Sequence, residues 1–360
     1  MSCVGCAVSD KPTDATVEVL TRIWQRLLQR SMINPEDNFY DLGGDDALAD
    51  SLFAEIAQVC GRELPSATIY RAPTIAALGA LLELNTLPRF SPFVQLKAGT
   101  EQPPILITPG VGGRASFYQL AKHIRTGHPI YGIQAKGVDG LEQPLERVED
   151  MAIFYLDELN RLQPQGPYIL IGYSFGGLLA LEMAHRISKD GKNVELLVLV
   201  DTYPDPRYFP PCERLRLMAK RTRSHISIMK QLTLQGAFSY FVRGLERRLH
   251  IAGDHHGRIS PETSRLSFAQ TILRVEASDF VAMARYRPRF YQGKIRFVKP
   301  EANPYLPSDP AAIWKRLAGE LAVETVPGDH VGMVDTHFKT LAAMLTRYVE
   351  ESSRQKMVQR

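Results

Sequence analysis

The chain has 360 residues, 44% of them hydrophobic and 23% charged, with a formal net charge of +4. That balance excludes wholesale disorder, and the length allows two domains or one large domain with an appendage. No apolar run reaches the ~18 residues of a membrane span, and no charged segment followed by an apolar core opens the chain, so a cytoplasmic protein without span or secretory signal is expected.

Cys3 and Cys6 form a CxxC in a Gly- and Ser-containing tail, but no second pair or nearby histidines complete a zinc site, so a disordered tail and no metal are expected. Cys60 and Cys212 are too scattered to add a disulfide framework. Residues 14–84 read as a small all-α unit. Thr16 to Gln29 places Val17, Leu20, Ile23, Trp24, Leu27 and Leu28 on one helical stripe, and a turn-rich connector, Asn38-Phe-Tyr-Asp-Leu-Gly-Gly44, follows it. A second stripe runs through Leu48, Leu52, Phe53, Ile56 and Val59. A last helix begins near Pro73, with Thr74 as its cap. Three or four short helices of this kind make a small bundle.

Residues 85–103, with Pro88, Pro92, Gly99 and Pro103, predict a linker and an edge segment. From 104 to 352 apolar runs alternate with helical stretches. The runs are Ile105–Ile107, Ile130–Ile133, Tyr168–Ile171, Leu196–Val200, Lys294–Val298 and Leu321–Val326. This alternation predicts an α/β fold with a mostly parallel sheet covered by helices on both faces. Residues 205–285 interrupt it with a long, mostly helical insert, expected to form a lid whose Met218, Ile226, Met229 and Phe241 are candidate lining residues of a hydrophobic pocket. Charge is unevenly spread: residues 1–90 carry a net −5 and residues 205–260 a net +7. The basic stretch around Lys220, Arg221, Arg223, Arg243, Arg247 and Arg248 suits an acidic carrier or a phosphate, whereas the absence of a recognised motif argues against nucleic acid.

The chemistry centres on Ser174, in Gly172-Tyr-Ser-Phe-Gly-Gly177, directly after the apolar run Tyr168–Ile171. A buried strand that ends in Gly-x-Ser-x-Gly and turns at once into a helix is how an α/β-hydrolase holds a serine nucleophile on a strained turn. A serine hydroxyl needs a histidine base held by a carboxylate, and in such folds the order along the chain is Ser, acid, His. His330, in Val326-Pro-Gly-Asp-His-Val331 after the last expected strand, is the candidate base, with His337 as competitor. For the acid three residues stay open on pattern alone: Asp201 at the end of Leu196–Val200, and Glu301 and Asp309 after the next strand. An oxyanion needs amide donors. Phe175 N–H is one by its place after the nucleophile, and the other is expected from Pro109-Gly-Val-Gly-Gly113.

Two resemblances bear on these residues. Residues 14–84 resemble an acyl or peptidyl carrier domain through Asp37-Asn-Phe-Tyr-Asp-Leu-Gly-Gly-Asp45, Leu64-Pro and Pro73-Thr-Ile-Ala-Ala-Leu. That family keeps its phosphopantetheine serine after Gly-Gly-Asp, where this chain has Asp46, so the resemblance implies a carrier-like fold with no covalently bound arm. Residues 93–350 resemble the thioesterase domains of nonribosomal peptide and polyketide synthetases, through Pro129–Asp139, the serine motif, Leu199-Val-Asp201 and Gly328-Asp-His330. This resemblance implies an α/β-hydrolase with a helical lid, selects Asp201 as the acid and favours Val111, with Gly110 close behind, as the second amide. The implied activity is release of an acyl or peptidyl group from a thioester on a separate carrier protein or coenzyme A, with a synthetase as a further partner. Transfer or cyclisation by the same residues, or a hydrolase-fold scaffold without turnover, are the alternatives.

Overall fold

The structure, a computed structural model, describes residues 12–84, 91–113, 117–162, 166–219, 268–303, 307 and 309–358. The CxxC tail, the middle of the expected lid and the basic residues from Lys220 to Arg248 lie outside the described residues. No helix among the described residues is long and apolar enough to cross a membrane.

Four helices open the described chain: α1 (Asp14–Leu28), α2 (Asp46–Cys60), α3 (Thr68–Arg71) and α4 (Ile75–Leu82). Side-chain caps start three of them. Thr13 accepts from Thr16 N, Asp45 from Leu48 N and Thr74 from Ala77 N, each satisfying an amide that the first turn leaves open. The expected stripes close on one another, with Leu20, Ile23, Trp24, Leu52, Phe53 and Ile56 buried. Val59 departs from this expectation. It is 57% exposed, and the last turn of α2 contributes Cys60 to the apolar cluster instead.

Seven strands follow: β1 (Phe93–Lys97), β2 (Ile105–Thr108), β3 (Ile130–Ile133), β4 (Tyr168–Tyr173), β5 (Val194–Val200), β6 (Tyr291–Pro300) and β7 (Ala318–Val326). They form one sheet in the order β1-β3-β2-β4-β5-β6-β7, with β1 antiparallel at the edge and every other pairing parallel. The short apolar runs read as strands because each is buried on both faces. Ile105, Ile107, Ile169, Ile171 and Val198 pack on one face; Leu106, Leu170, Leu197 and Leu199 pack on the other.

Helices cover both faces. α5 (Tyr118–His123) lies between β2 and β3, α6 (Val148–Leu162) between β3 and β4, and α7 (Phe175–Lys189) between β4 and β5. After β5 the chain passes through a short turn of helix, Pro206–Tyr208, and is helical again at 211–219. It returns in the long helix α8 (Phe268–Arg285), then completes the sheet with α9 (Ala311–Trp314), α10 (Gly332–Asp335) and α11 (Phe338–Val358).

Strand β2 pairs with β3 on one side and β4 on the other, so the winding reverses between β2 and β4. Such a reversal opens a crevice at the carboxyl ends of the strands, because the following loops diverge to opposite faces. The four-helix unit is not a separate bead. Its apolar cluster continues into Val94 of β1, Val138, and Phe268 and Ile272 of α8. Both Asp50 carboxylate oxygens accept from Phe268 N at 3.0 Å, Tyr118 Oη donates to Tyr70 O, and the Tyr70 and Phe268 rings meet at 5.7 Å.

Candidate active site

Ser174 sits between β4 and α7 at φ 55°, ψ −123°, a backbone conformation that a residue with a Cβ holds only under strain. The surrounding glycines make room for it. A Cβ on Gly172 would collide with the backbone of Gly176 and Gly177, one on Gly176 with the carbonyls of Thr108 and Pro109, and one on Gly177 with the Thr202 side chain. Thr108 Oγ1 donates to Gly176 O at 2.6 Å, and Ser174 N donates to Val200 O at 2.8 Å, so both neighbouring strands pin the turn.

Asp201 follows β5 directly, also at positive φ (43°), with Asp201 N donating to Val298 O at 2.8 Å. Its side chain is fully buried, and Oδ2 lies 2.6 Å from Nδ1 of His330. With the carboxylate accepting, the proton sits on Nδ1 and Nε2 is left as a lone-pair acceptor. His330 is held from a second direction: the Tyr173 ring stacks on the imidazole at 4.9 Å and Tyr173 Oη donates to His330 O at 2.8 Å. Burial, and then the nearby Asp201 and Asp329 charges, push the Tyr173 phenol well above its ordinary value, so it stays a donor.

The structure therefore brings Asp201 and His330 together and sets both beside Tyr173-Ser174. The Ser174 hydroxyl makes no hydrogen bond to any described residue, so the Ser174 to His330 bond is not formed. The other candidates fall elsewhere. Glu301 is exposed, Asp309 accepts from Ala311 N at 2.9 Å just ahead of α9, and His337 precedes α11, donating its N–H to Gly332 O.

The loop after β2 crosses this edge. Gly110 lies so near the nucleophile that its Cβ would stand 3.3 Å from Ser174 Cβ and from the Tyr173 ring. Neither Val111 N–H nor Phe175 N–H has a partner among the described residues, which leaves both amides available to an incoming oxygen. Gly112 N–H is taken, donating to the buried Asp279 Oδ2 at 2.9 Å.

Three participants were invisible to pattern reading. Asn303 Nδ2 donates to Asp201 Oδ1 at 3.0 Å, Tyr173 braces His330, and Asp279 holds Gly112. Tyr173 stands in the variable position of the serine motif, whose period carries no instruction for it. Asn303 lies in the loop already searched for an acid, and a search for carboxylates passes over an amide.

A family model described as thioesterase domain matches residues 103–348, and one described as phosphopantetheine attachment site matches residues 18–82. Malpibaldin synthetase of Mortierella alpina is 28% identical over 87% of this chain and 5% of its own length. The dimodular nonribosomal peptide synthase of Bacillus subtilis is 33% identical over 54% of this chain and 8% of its own length. An indigoidine synthase of Streptomyces lavendulae is 34% identical over 52% of this chain and 15% of its own. The chain thus spans a small part of the curated relatives it matches. Among solved structures, a holo four-domain nonribosomal peptide synthetase bound to AMP and glycine superposes with a TM-score of 0.55 at 21% identity, covering 96% of this chain and 27% of that one. At that identity the likeness is one of fold, and it extends over the helical unit and the sheet together.

Proposed function

From a chain that belongs to the thioesterase domain family, with a phosphopantetheine-attachment domain ahead of the thioesterase domain, we infer an enzyme that releases an acyl or peptidyl group from a thioester through an acyl-Ser174 intermediate. The observation that carries this reading is the buried Asp201 against His330 at the strand edge where the strained Ser174 emerges.

In the proposed reaction Ser174 Oγ attacks the thioester carbonyl carbon while His330 Nε2 takes the hydroxyl proton. Asp201 holds the imidazole and stabilises its positive charge as it forms. The carbonyl oxygen becomes an oxyanion between Val111 N–H and Phe175 N–H, each such donor contributing about 10²–10³ in rate. The C–S bond then breaks, the thiolate takes the proton from His330, and the acyl group remains on Ser174. Water enters, loses a proton to His330, and the same steps in reverse release the acid and restore the serine. Brief incubation with acyl-pantetheine thioesters should leave an acyl adduct on the peptide containing Ser174, detected by intact mass and peptide mapping. An adduct elsewhere, or none together with no turnover, would overturn the reading.

The helical unit does not fit an arm of its own. Asp46 opens α2 immediately after the Asp45 cap, and a carboxylate has no hydroxyl with which to attack the phosphate of coenzyme A, while its charge repels that phosphate. Ser51 lies five residues on, more than a helical turn away, and its hydroxyl donates to Ala47 O at 3.2 Å. The substrate is accordingly proposed to arrive on a separate carrier protein or on coenzyme A. With a phosphopantetheinyl transferase and coenzyme A, the native chain is expected to show no mass gain, and Asp46→Ser to gain one phosphopantetheine. A gain by the native chain would reverse the assignment.

A further inference from the structure

The amide loop that would receive the oxyanion is a glycine-rich turn with one hydrogen bond of its own, Gly113 N–H donating to Gly110 O at 3.2 Å. Gly110, Gly112 and Gly113 surround Val111, and two of them, Gly112 at φ +92° and Gly113 at φ +60°, take the left-handed region that glycine enters freely. A glycine-rich segment of this kind reorients its peptide planes at little cost unless something outside it intervenes. On one side Ala135 does, donating its N–H to Gly113 O at 3.0 Å. On the other side the restraint comes from α8. A Cβ on Gly112 would meet Glu276 at 3.2 Å and Ile272 at 3.6 Å, so the loop lies on the face formed by Ile272, Glu276 and Asp279. There the Asp279 carboxylate, 3% exposed, accepts from Gly112 N–H at 2.9 Å.

A buried carboxyl is a costly way to satisfy one backbone amide. Burial, with Glu276 nearby, raises Asp279 to about 7 although the Gly112 N–H opposes the rise. On the same helix its neighbours Val275 and Ala282 are buried apolar residues, while Thr271 and Ser278 are buried polar ones.

We propose that Asp279 is a positioning residue for the reaction at Ser174: by holding the Val111–Gly112 peptide it aims the adjoining Val111 N–H at the oxyanion. The inference rests on the thioesterase reading of Ser174. It also ties the helical unit to the site, because Phe268, the first described residue of α8, donates its N–H to Asp50 of α2.

Steady-state hydrolysis of an acyl-pantetheine thioester by the full chain, together with the rate of Ser174 labelling by a fluorophosphonate, tests it. Asp279→Leu removes the acceptor in a similar volume and is expected to lower kcat and the labelling rate about 10- to 100-fold, as misplacing one oxyanion donor does, with KM within about twofold. Asp279→Asn keeps an acceptor oxygen without the charge and should restore most of the lost rate. If Asp279→Leu yields no folded protein, Asp279→Ala takes its place with the same expectation. Unchanged kcat in a folded Leu or Ala variant overturns the proposal, as does a rise in KM that accounts for the whole loss, or an Asn variant as slow as Leu. A native chain that neither turns over nor labels overturns the Ser174 reading and this inference with it, whereas native activity with an unimpaired Leu variant overturns the inference alone.

Discussion

Replacing Ser174 by alanine is expected to lower thioester turnover by roughly 10⁵- to 10⁶-fold and to abolish fluorophosphonate labelling, because the bond-forming oxygen is gone while the binding surface stays. The fold should barely notice. Alanine keeps the Cβ, and therefore the strain of φ 55°, ψ −123°, and the hydroxyl it removes has no bond to any described residue. Ser174→Gly separates strain from chemistry: it should be equally inactive yet more stable by about 1 kcal/mol, since glycine adopts this conformation without the Cβ clash. Chemical denaturation of native chain and both variants, beside turnover, checks the pair. Turnover above a tenth of native in either variant would remove Ser174 from the reaction.

Asp201→Asn is the second large effect, expected to lower kcat about 10⁴-fold with little change in KM. Among the described residues two groups hydrogen-bond this side chain. Asn303 Nδ2 can only donate, so it selects the amide oxygen of an asparagine at 201 and turns the NH₂ toward His330. His330 Nδ1 must then accept, its proton moves to Nε2, and the nitrogen that should take the Ser174 proton is occupied. Asn303→Ala in the Asp201→Asn background frees the amide to turn over, and partial recovery of kcat is expected. A kcat within tenfold of native in the single variant would mean that another group orients His330.

The residues of this site differ in how visible they are in the sequence. Ser174 was legible because its requirements are local: a strand with no polar residue, glycines at fixed offsets and a helix immediately after. His330 was legible as the histidine of the loop after the last strand. The acid was not, since Asp201, Glu301 and Asp309 each follow a strand of the same sheet. Pattern alone ranks them equally, and only the pairing of β5 with β6, register Val200 to Val298, brings Asp201 rather than the other two against the imidazole. Val59 failed for a related reason: its place on the α2 stripe is a local property, but its burial depends on what packs beside the last turn.

Legible along the chain is whatever is local or repeats: strand runs two faces deep, helices with side-chain caps, and a glycine-lined turn that admits one conformation. The tertiary structure decided everything that depends on residues far apart in the chain meeting. Asn303 on Asp201, Asp279 on Gly112 and Asp50 on Phe268 are hydrogen-bonded contacts spanning 102, 167 and 218 positions. None has a periodicity, because each exists only where the order of strands and the path of α8 bring two loops or helix ends within 3 Å, and a polar atom buried there must find a partner.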